Sequence, residues 1–318
     1  MAVLVNVDNF VRAETHRMFA DIQAVAGGVG SFRHNRTPAR IDEQTVIRLN
    51  RDTLYSFAIV DLAQPARLRL PDADGRYLSA MIVNEDHFVN GVLHEAGEHT
   101  LTAEKYGSRH VLVGIRILGN PNDSADVAAV SELQDRLGIA TESAESFVRP
   151  DYDGESLDAT RDALLELARR LNNFDRMFGA SADVDEVRHL IGTAAGWGGL
   201  PTSEATYVGV DPNVPPGDYE LTFKDVPVDA FWSVSVYNAK GYFEPNAKDL
   251  YTVNSVTGDR DDDGSTTVRF IASVDGDVPP NAIATPEGWN YLIRFYRPHP
   301  EILDGSWTPP ALTPCGRS

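Results

Sequence analysis

The apolar residues of this chain change their spacing twice, and no other feature limits its fold as strongly. From residue 66 to 117 the spacing is that of strands. "ARLRL" (66–70) alternates apolar and basic residues, "RYLSAMIV" (76–83) is nearly continuous apolar, and "HVLVGIRI" (110–117) alternates again. Asp74-Gly75 and Tyr106-Gly107 punctuate these runs as turns. Between about 122 and 195 the period becomes helical. Val127, Val130, Leu133 and Leu137 form one stripe, closed by Gly138. Leu157, Leu164, Ala168, Leu171 and Phe178 form a second, closed by Gly179, and Val184, Val187 and Ile191 a third. From 205 onward strands return in "DYELTF" (218–223), "AFWSVSVY" (230–237), "TTVRFI" (266–271) and "NYLIRFYR" (290–297). Ahead of all this, Val7, Phe10, Val11, Met18, Ile22 and Val25 predict a helix that Gly27-Gly28 ends.

A helix and then a β-α-β succession predict a mixed α and β, multidomain fold. Two antiparallel, jelly-roll-like β domains are expected, with an α-helical insertion between them. The expected boundaries are an N-terminal helix and loop over 1–40, a first β domain over 41–120, a helical bundle over 121–200 and a second β domain over 201–318. An internal echo supports two related β units. Asp74, Tyr77 and Phe88 correspond at one constant offset to Asp229, Trp232 and Phe243.

A chain of 318 residues with 42% hydrophobic content can bury full cores. No apolar run is long enough to span a membrane, and the N-terminal stretch lacks the basic start of a signal peptide. A cytoplasmic location is the expectation. A net charge of -19 repels nucleic acid and anionic membrane, so neither is an expected partner. Only four lysines stand among the 28 basic residues, a bias that both a high-salt habitat and a GC-rich genome produce. The single cysteine, Cys315, excludes a disulfide framework within one chain and makes a poor nucleophile in its proline-rich tail.

Two segments invite a metal reading. "NEDHFVNGVLHEAGEHTL" (84–101) carries His87, His94 and His99, but the second histidine of a zincin helix arrives one residue late, and Gly91 and Gly97 oppose a helix. "DRDDDGS" (259–265) sets Asp259, Asp261 and Asp263 at the spacing of a calcium loop. Its twelfth position is Phe270 where a bidentate Glu is needed, and a polar turn with Asp263-Gly264 at its tip reads better. These six residues are weak metal candidates, and none is assigned as a ligand. No cofactor motif is evident: there is no Gly-x-Ser-x-Gly elbow, and "GTAAGWGGLP" (192–201) lacks phosphate-loop spacing.

The most suggestive group is "LNRDTLYSF" (49–57), where Asn50, Arg51 and Asp52 precede a strand holding Tyr55. Arg51 can grip an anion, Asp52 can act as a base, and Tyr55 offers a phenol. The same three polar residues can equally lock a turn. Downstream, Ser233, Ser235 and Tyr237 share one side of a strand, as do Arg294 and Tyr296 on another. Such a polar stripe is either a solvent face or the wall of a cavity.

"NRDTLYSFAIVDL", "FWSVSVYNAKGYF", "DGSTTVRF" and "TPEGWNYLIRFYRPHPEILDGSWTPP" together resemble the bacterial family that joins two domains of unknown function, 1254 at the N-terminus and 1214 at the C-terminus. The similarity runs from about residue 40 to 312. It implies two jelly-roll-like domains with a helical bundle between them. The chain departs from that family at "NAIATPEG" (281–288), where members tend to carry an Asn-Trp-Leu-Pro-like segment.

Two functional readings follow. In the first, an enzyme performs hydrolytic or lyase-type acid/base chemistry on a small organic molecule in a cleft between β domains. Its catalytic residues are Arg51, Asp52 and Tyr55, and its substrate contacts are Asn50, Ser235, Tyr237, Arg294 and Tyr296. In the second, the chain is a non-catalytic jelly-roll protein that binds a small molecule or carbohydrate. The expected partner is a small-molecule ligand, and a homo-oligomer is a third reading of the polar stripes.

Overall fold

The structure is a computed structural model that describes residues 2–44, 47–171 and 173–315. It is mixed α and β with mostly antiparallel sheets, and it divides into two compact units. The first holds residues up to 36, then 54–119 and 125–202. The second holds 37–53, 120–124 and 203 onward.

In the first unit, helix α1 (Phe10–Ala26) stops where Gly27 takes a left-handed φ of 81°. Strands β1 (Arg33–His34), β2 (Thr53–Asp61), β3 (Ala66–Leu70), β4 (Leu78–Val83), β5 (Val89–Leu93) and β6 (Gly97–Leu101) follow. After them come α2 (Ala103–Tyr106), β7 (His110–Leu118), α3 (Ser124–Asp135), β8 (Gly138–Ala140), α4 (Gly154–Ala168) and α5 (Glu186–Gly196). A five-stranded sheet of order β1-β2-β7-β4-β5 and a three-stranded sheet of order β6-β3-β8 share one apolar core with Val130 and Leu133 of α3. The run that reads as continuous apolar is β4, buried at every position because both its faces are covered. Helices α1, α4 and α5 pack on one another through Phe10, Ala13, Leu157, Leu164 and Ile191. Asp153 and Asp185 cap α4 and α5 by accepting from backbone N–H groups of their first turns.

One buried carboxylate staples this unit. Asp61, fully buried at the end of β2, accepts from the Arg109 guanidinium, the Ser143 hydroxyl, and the Ala63 and Glu145 N–H groups. Burial opposes its charge, but these donors outweigh burial and hold its pKa below the usual carboxylate range.

The second unit contains β9 (Ala205–Val210), β10 (Tyr219–Phe223), β11 (Trp232–Tyr237), β12 (Thr252–Asn254), β13 (Thr266–Ile271), β14 (Ala282–Ala284), β15 (Asn290–Tyr296), α6 (Pro300–Leu303) and β16 (Thr313–Pro314). Its two four-stranded sheets have orders β14-β13-β10-β16 and β12-β11-β15-β9, with β13 and β14 parallel. Leu221, Phe223, Val268 and Phe270 from one sheet meet Trp232, Val234, Val236, Tyr291, Ile293 and Phe295 from the other in a single core. Since side chains alternate across a strand, Ser233, Ser235, Tyr237, Arg294 and Tyr296 must then occupy the far face of β11 and β15.

Among the described residues, no helix is long and apolar enough to cross a membrane.

Candidate functional site

That far face is buried as well. Register places Ser233 opposite Arg294, Ser235 opposite Leu292 and Tyr237 opposite Asn290. The segment 37–53, part of the same unit, supplies the covering groups. Leu49 and Ile41 pack with Tyr237, Phe243, Tyr251 and Leu292. Exposure is 0% for Asp52, Ser233, Ser235 and Tyr237, 1% for Tyr296 and 2% for Arg294. The polar stripe is therefore an internal layer held under the chain's own 37–53 segment.

Hydrogen bonds tie the layer together. Asn50 Oδ1 accepts from the Asp52 N–H at 2.8 Å, an Asx turn that sets the carboxylate inward at the start of β2. Asp52 accepts from the Ser233 hydroxyl at 2.6 Å and from the Thr252 hydroxyl at 3.2 Å. Thr252 Oγ1 lies 3.1 Å from Ser235 Oγ, and Ser235 accepts from Arg294 Nη1 at 2.9 Å. Thr252 Oγ1 also lies 3.1 Å from the Val234 carbonyl, so that carbonyl and the Asp52 carboxylate share its one hydroxyl proton. A buried cation and a buried anion are thus joined through two hydroxyls, with each bond polarising the next.

The rest of the guanidinium is also used. Nη2 donates to Tyr237 Oη at 2.7 Å and to the Arg48 carbonyl at 2.9 Å. Tyr237 in turn donates to the Leu49 carbonyl at 2.9 Å, and Asn50 Nδ2 donates to Tyr296 Oη at 2.8 Å. Burial works against the charge of Arg294, but Tyr237, Tyr296 and Asp52 outweigh it and raise its pKa above the ordinary value.

Arg51 differs from its neighbours. It is half-buried, donates from Nη1 to the Ala39 carbonyl, and lies with its guanidinium carbon 5.5 Å from the Tyr251 ring centroid. Its Nε is buried with no hydrogen-bond partner among the described residues. Burial lowers its pKa and raises that of Tyr251.

Of the eight residues singled out as catalytic or substrate-binding, seven fall within the second unit. Tyr55 belongs to the first unit, where it stacks on Phe57 at 5.7 Å and sits under the Arg116 guanidinium.

The histidines and aspartates weighed as metal ligands have other partners. His87 is fully buried at a left-handed φ of 61°. Its Nδ1 meets Thr193 Oγ1 at 2.8 Å, and its Nε2 accepts from the Gly198 N–H at 2.9 Å. An accepting Nε2 requires the neutral Nδ1–H tautomer. Burial, reinforced by His189, pushes its pKa well below the usual value. His94 Nδ1 bonds the Leu78 carbonyl, and His99 Nε2 bonds the Glu95 carbonyl. Asp261 accepts from the Thr267 and Ser265 hydroxyls, and Asp263 accepts from Lys224 and Ser265, while the Asp259 N–H donates to Asn281. Among the described residues, no group of three or more His, Cys, Asp or Glu is placed to hold a metal ion.

Sequence reasoning missed the second unit's concavity. A pocket of about 450 Å³, a size suited to a small ligand, is lined by residues 211, 213–215, 239 and 287–290. Asn290 in its lining is 8% exposed. Its Nδ2 donates to the Asn238 carbonyl at 2.8 Å, but its Oδ1 is buried with no partner among the described residues. The only sequence signals here are the turn formers of "DPNVPPGD" and "TPEG", which mark loops without chemistry.

Residues 29–141 match the family described as Protein of unknown function (DUF1254), and residues 212–300 match Protein of unknown function (DUF1214). The fold is similar to that of the VPA0106 protein from Vibrio parahaemolyticus, with a TM-score of 0.75 and 19% identity over 98% of each chain. It is also similar to an uncharacterised protein from Burkholderia cenocepacia, with a TM-score of 0.51 and 14% identity over 96% of this chain and 86% of that one. At such identities the likeness concerns the fold alone. No match is found among curated proteins.

Proposed function

We propose that this chain, which joins a DUF1254 domain to a DUF1214 domain, binds a small polar molecule without transforming it, at the pocket of its second unit. The observation that carries this reading is the contrast between two polar sites. Asp52 is the acid/base candidate nearest a full set of helpers, and it is fully buried with its oxygens taken by Ser233 and Thr252. Such a carboxylate stabilises a fold, whereas catalysis needs one within reach of substrate. The pocket, by contrast, is lined by the exposed side chains of Asp211, Asn213 and Glu287, polar groups that a small molecule can reach. A jelly-roll-like reading of the two facing four-stranded sheets suits this role, since such sandwiches serve often as ligand scaffolds.

Blocking the pocket provides the test. Ala239 lines it at an exposed position, so Ala239→Phe should fill space there and leave the apolar core alone. A thermal-shift screen of small polar metabolites should give stabilising compounds whose effect Ala239→Phe abolishes. Hits that persist in Ala239→Phe, or a hit that is consumed by the wild type but not by Asp52→Asn, would favour the enzyme reading.

A further inference from the structure

The protonation of His189, a buried residue of α5 in the first unit, is set by its partners. Both its ring nitrogens face backbone carbonyls: Nδ1 lies 2.9 Å from the Met177 oxygen and Nε2 lies 3.0 Å from the Asp86 oxygen. A carbonyl oxygen only accepts, so both nitrogens must carry a proton, and a ring with two N–H groups is an imidazolium. Its neighbour His87 is fixed in the opposite form. The Thr193 hydroxyl donates to the His189 carbonyl at 2.9 Å and so accepts from His87 Nδ1, while His87 Nε2 accepts from the Gly198 N–H. The His189 ring stacks on Phe88 at 4.7 Å and on the neutral His87 at 5.5 Å, and an aromatic face favours a cation.

The two carbonyls belong to strained turns. Asp86 precedes His87, whose φ is 61°, and Met177 follows Arg176, whose φ is 56°. A left-handed residue other than glycine costs free energy and persists only where its surroundings hold it. We propose that His189 is a buried cationic clamp on both turns, and that its loss of one proton as pH rises releases one of them. A neutral imidazole has a single N–H and holds only one carbonyl. The charged groups on the surrounding elements are engaged elsewhere or exposed. Asp86 pairs with Arg12 of α1, Glu85 with His16 of α1, and Glu14 of α1 with Arg17 and Arg161. Between α4 and α5, Arg176 reaches the Asp183 carbonyl, and Asp185 caps α5. Arg188 of α5 donates to Asn173, and the side chains of Asp175, Asp183 and Glu186 are exposed. Among the described residues, the hydrogen-bond partners of the His189 ring are the two carbonyls and no carboxylate.

Long-range proton–nitrogen NMR of the full chain reads the protons on each ring directly, from about pH 5.5 to about pH 8.5, the range in which histidine titrates. The expected result at the acid end is two protonated nitrogens on His189 and Nδ1–H alone on His87. As pH rises, His189 loses one proton, and amide exchange in residues 84–88 or in residues 174–179 becomes about tenfold faster with the same midpoint, the effect of one lost hydrogen bond. The step should vanish in His189→Gln. It should persist in His16→Gln, which removes the imidazole that reaches the same turn through Glu85. A single protonated nitrogen on His189 across the whole range would overturn the clamp. A ring that keeps both protons to the alkaline end, or a step that leaves both segments unchanged or survives in His189→Gln, would overturn the switch.

Discussion

Removing the Asp52 carboxylate tests the internal layer of the second unit. In Asp52→Ala, Ser233 loses its acceptor, Thr252 keeps only the Val234 carbonyl, and the Arg294 guanidinium, 2% exposed, loses its countercharge. A hydrogen bond to a charged group contributes about 1.5–3 kcal/mol, and breaking one partner of a buried charge pair costs about 3–5 kcal/mol. Because the two charges communicate through two hydroxyls and make no direct contact, the lower end of that range, about 3 kcal/mol, is expected. Arg294→Met should cost a comparable amount, since it leaves Asp52 as the lone buried charge. The double variant removes both charges, so its loss should fall short of the sum by about 1 kcal/mol or more. Urea unfolding followed by tryptophan fluorescence measures all three, because Trp232 and Trp289 both lie in the core of this unit. Strict additivity, or a loss under about 1 kcal/mol for Asp52→Ala, would refute the view that these residues form one charge-balanced lock.

Three further outcomes follow from the first unit. His87 is held neutral by burial, whereas in the unfolded chain it titrates near 6.5. Below that pH the unfolded state binds a proton that the folded state refuses, so stability should fall on acidification by up to about 1.4 kcal/mol per pH unit, and urea midpoints at pH 7 and pH 5 should show a steeper drop than in His87→Gln. Asp61→Ala should cost about 1–3 kcal/mol, because it leaves the Ser143 hydroxyl and the Ala63 and Glu145 N–H groups without their acceptor while the exposed Arg109 keeps Glu145, a loss readable as a lower urea midpoint. In Gly199→Ala the new Cβ would collide with the Phe178 ring, so a loss of about 1–3 kcal/mol is expected by thermal unfolding, and Phe178→Leu in the same chain should relieve part of it.

Period and turn chemistry made much of the fold legible. The twofold alternation of "AFWSVSVY" assigned Trp232, Val234 and Val236 to one face and Ser233, Ser235 and Tyr237 to the other, as β11 shows. The clustering of Asn50 and Asp52 was legible too, since an Asn three residues ahead of a strand is a turn former whatever else it does. What covers the serine face was not legible. Alternation distinguishes two faces but says nothing about a segment some 180 residues upstream returning to bury one of them, and the Asp52–Ser233 bond spans such a separation. Thr252 escaped notice because β12 is only three residues long, too short for a period to register. The pocket lay beyond sequence for the same reason. Its two halves, around Asp211 and around Glu287, are loops that neighbouring strands bring together, and loops carry no periodicity.

The measurement that meets the central claim most directly is a chemical-shift map of the protein with the best compound from a small-metabolite screen. Shifts concentrated at Ala239, Gly288, Trp289 and Asn290, with Asp52, Ser233 and Arg294 undisturbed and the compound recovered unchanged, are the predicted result. Shifts centred on Asp52, Ser233 and Arg294, with the compound converted to product, would contradict it.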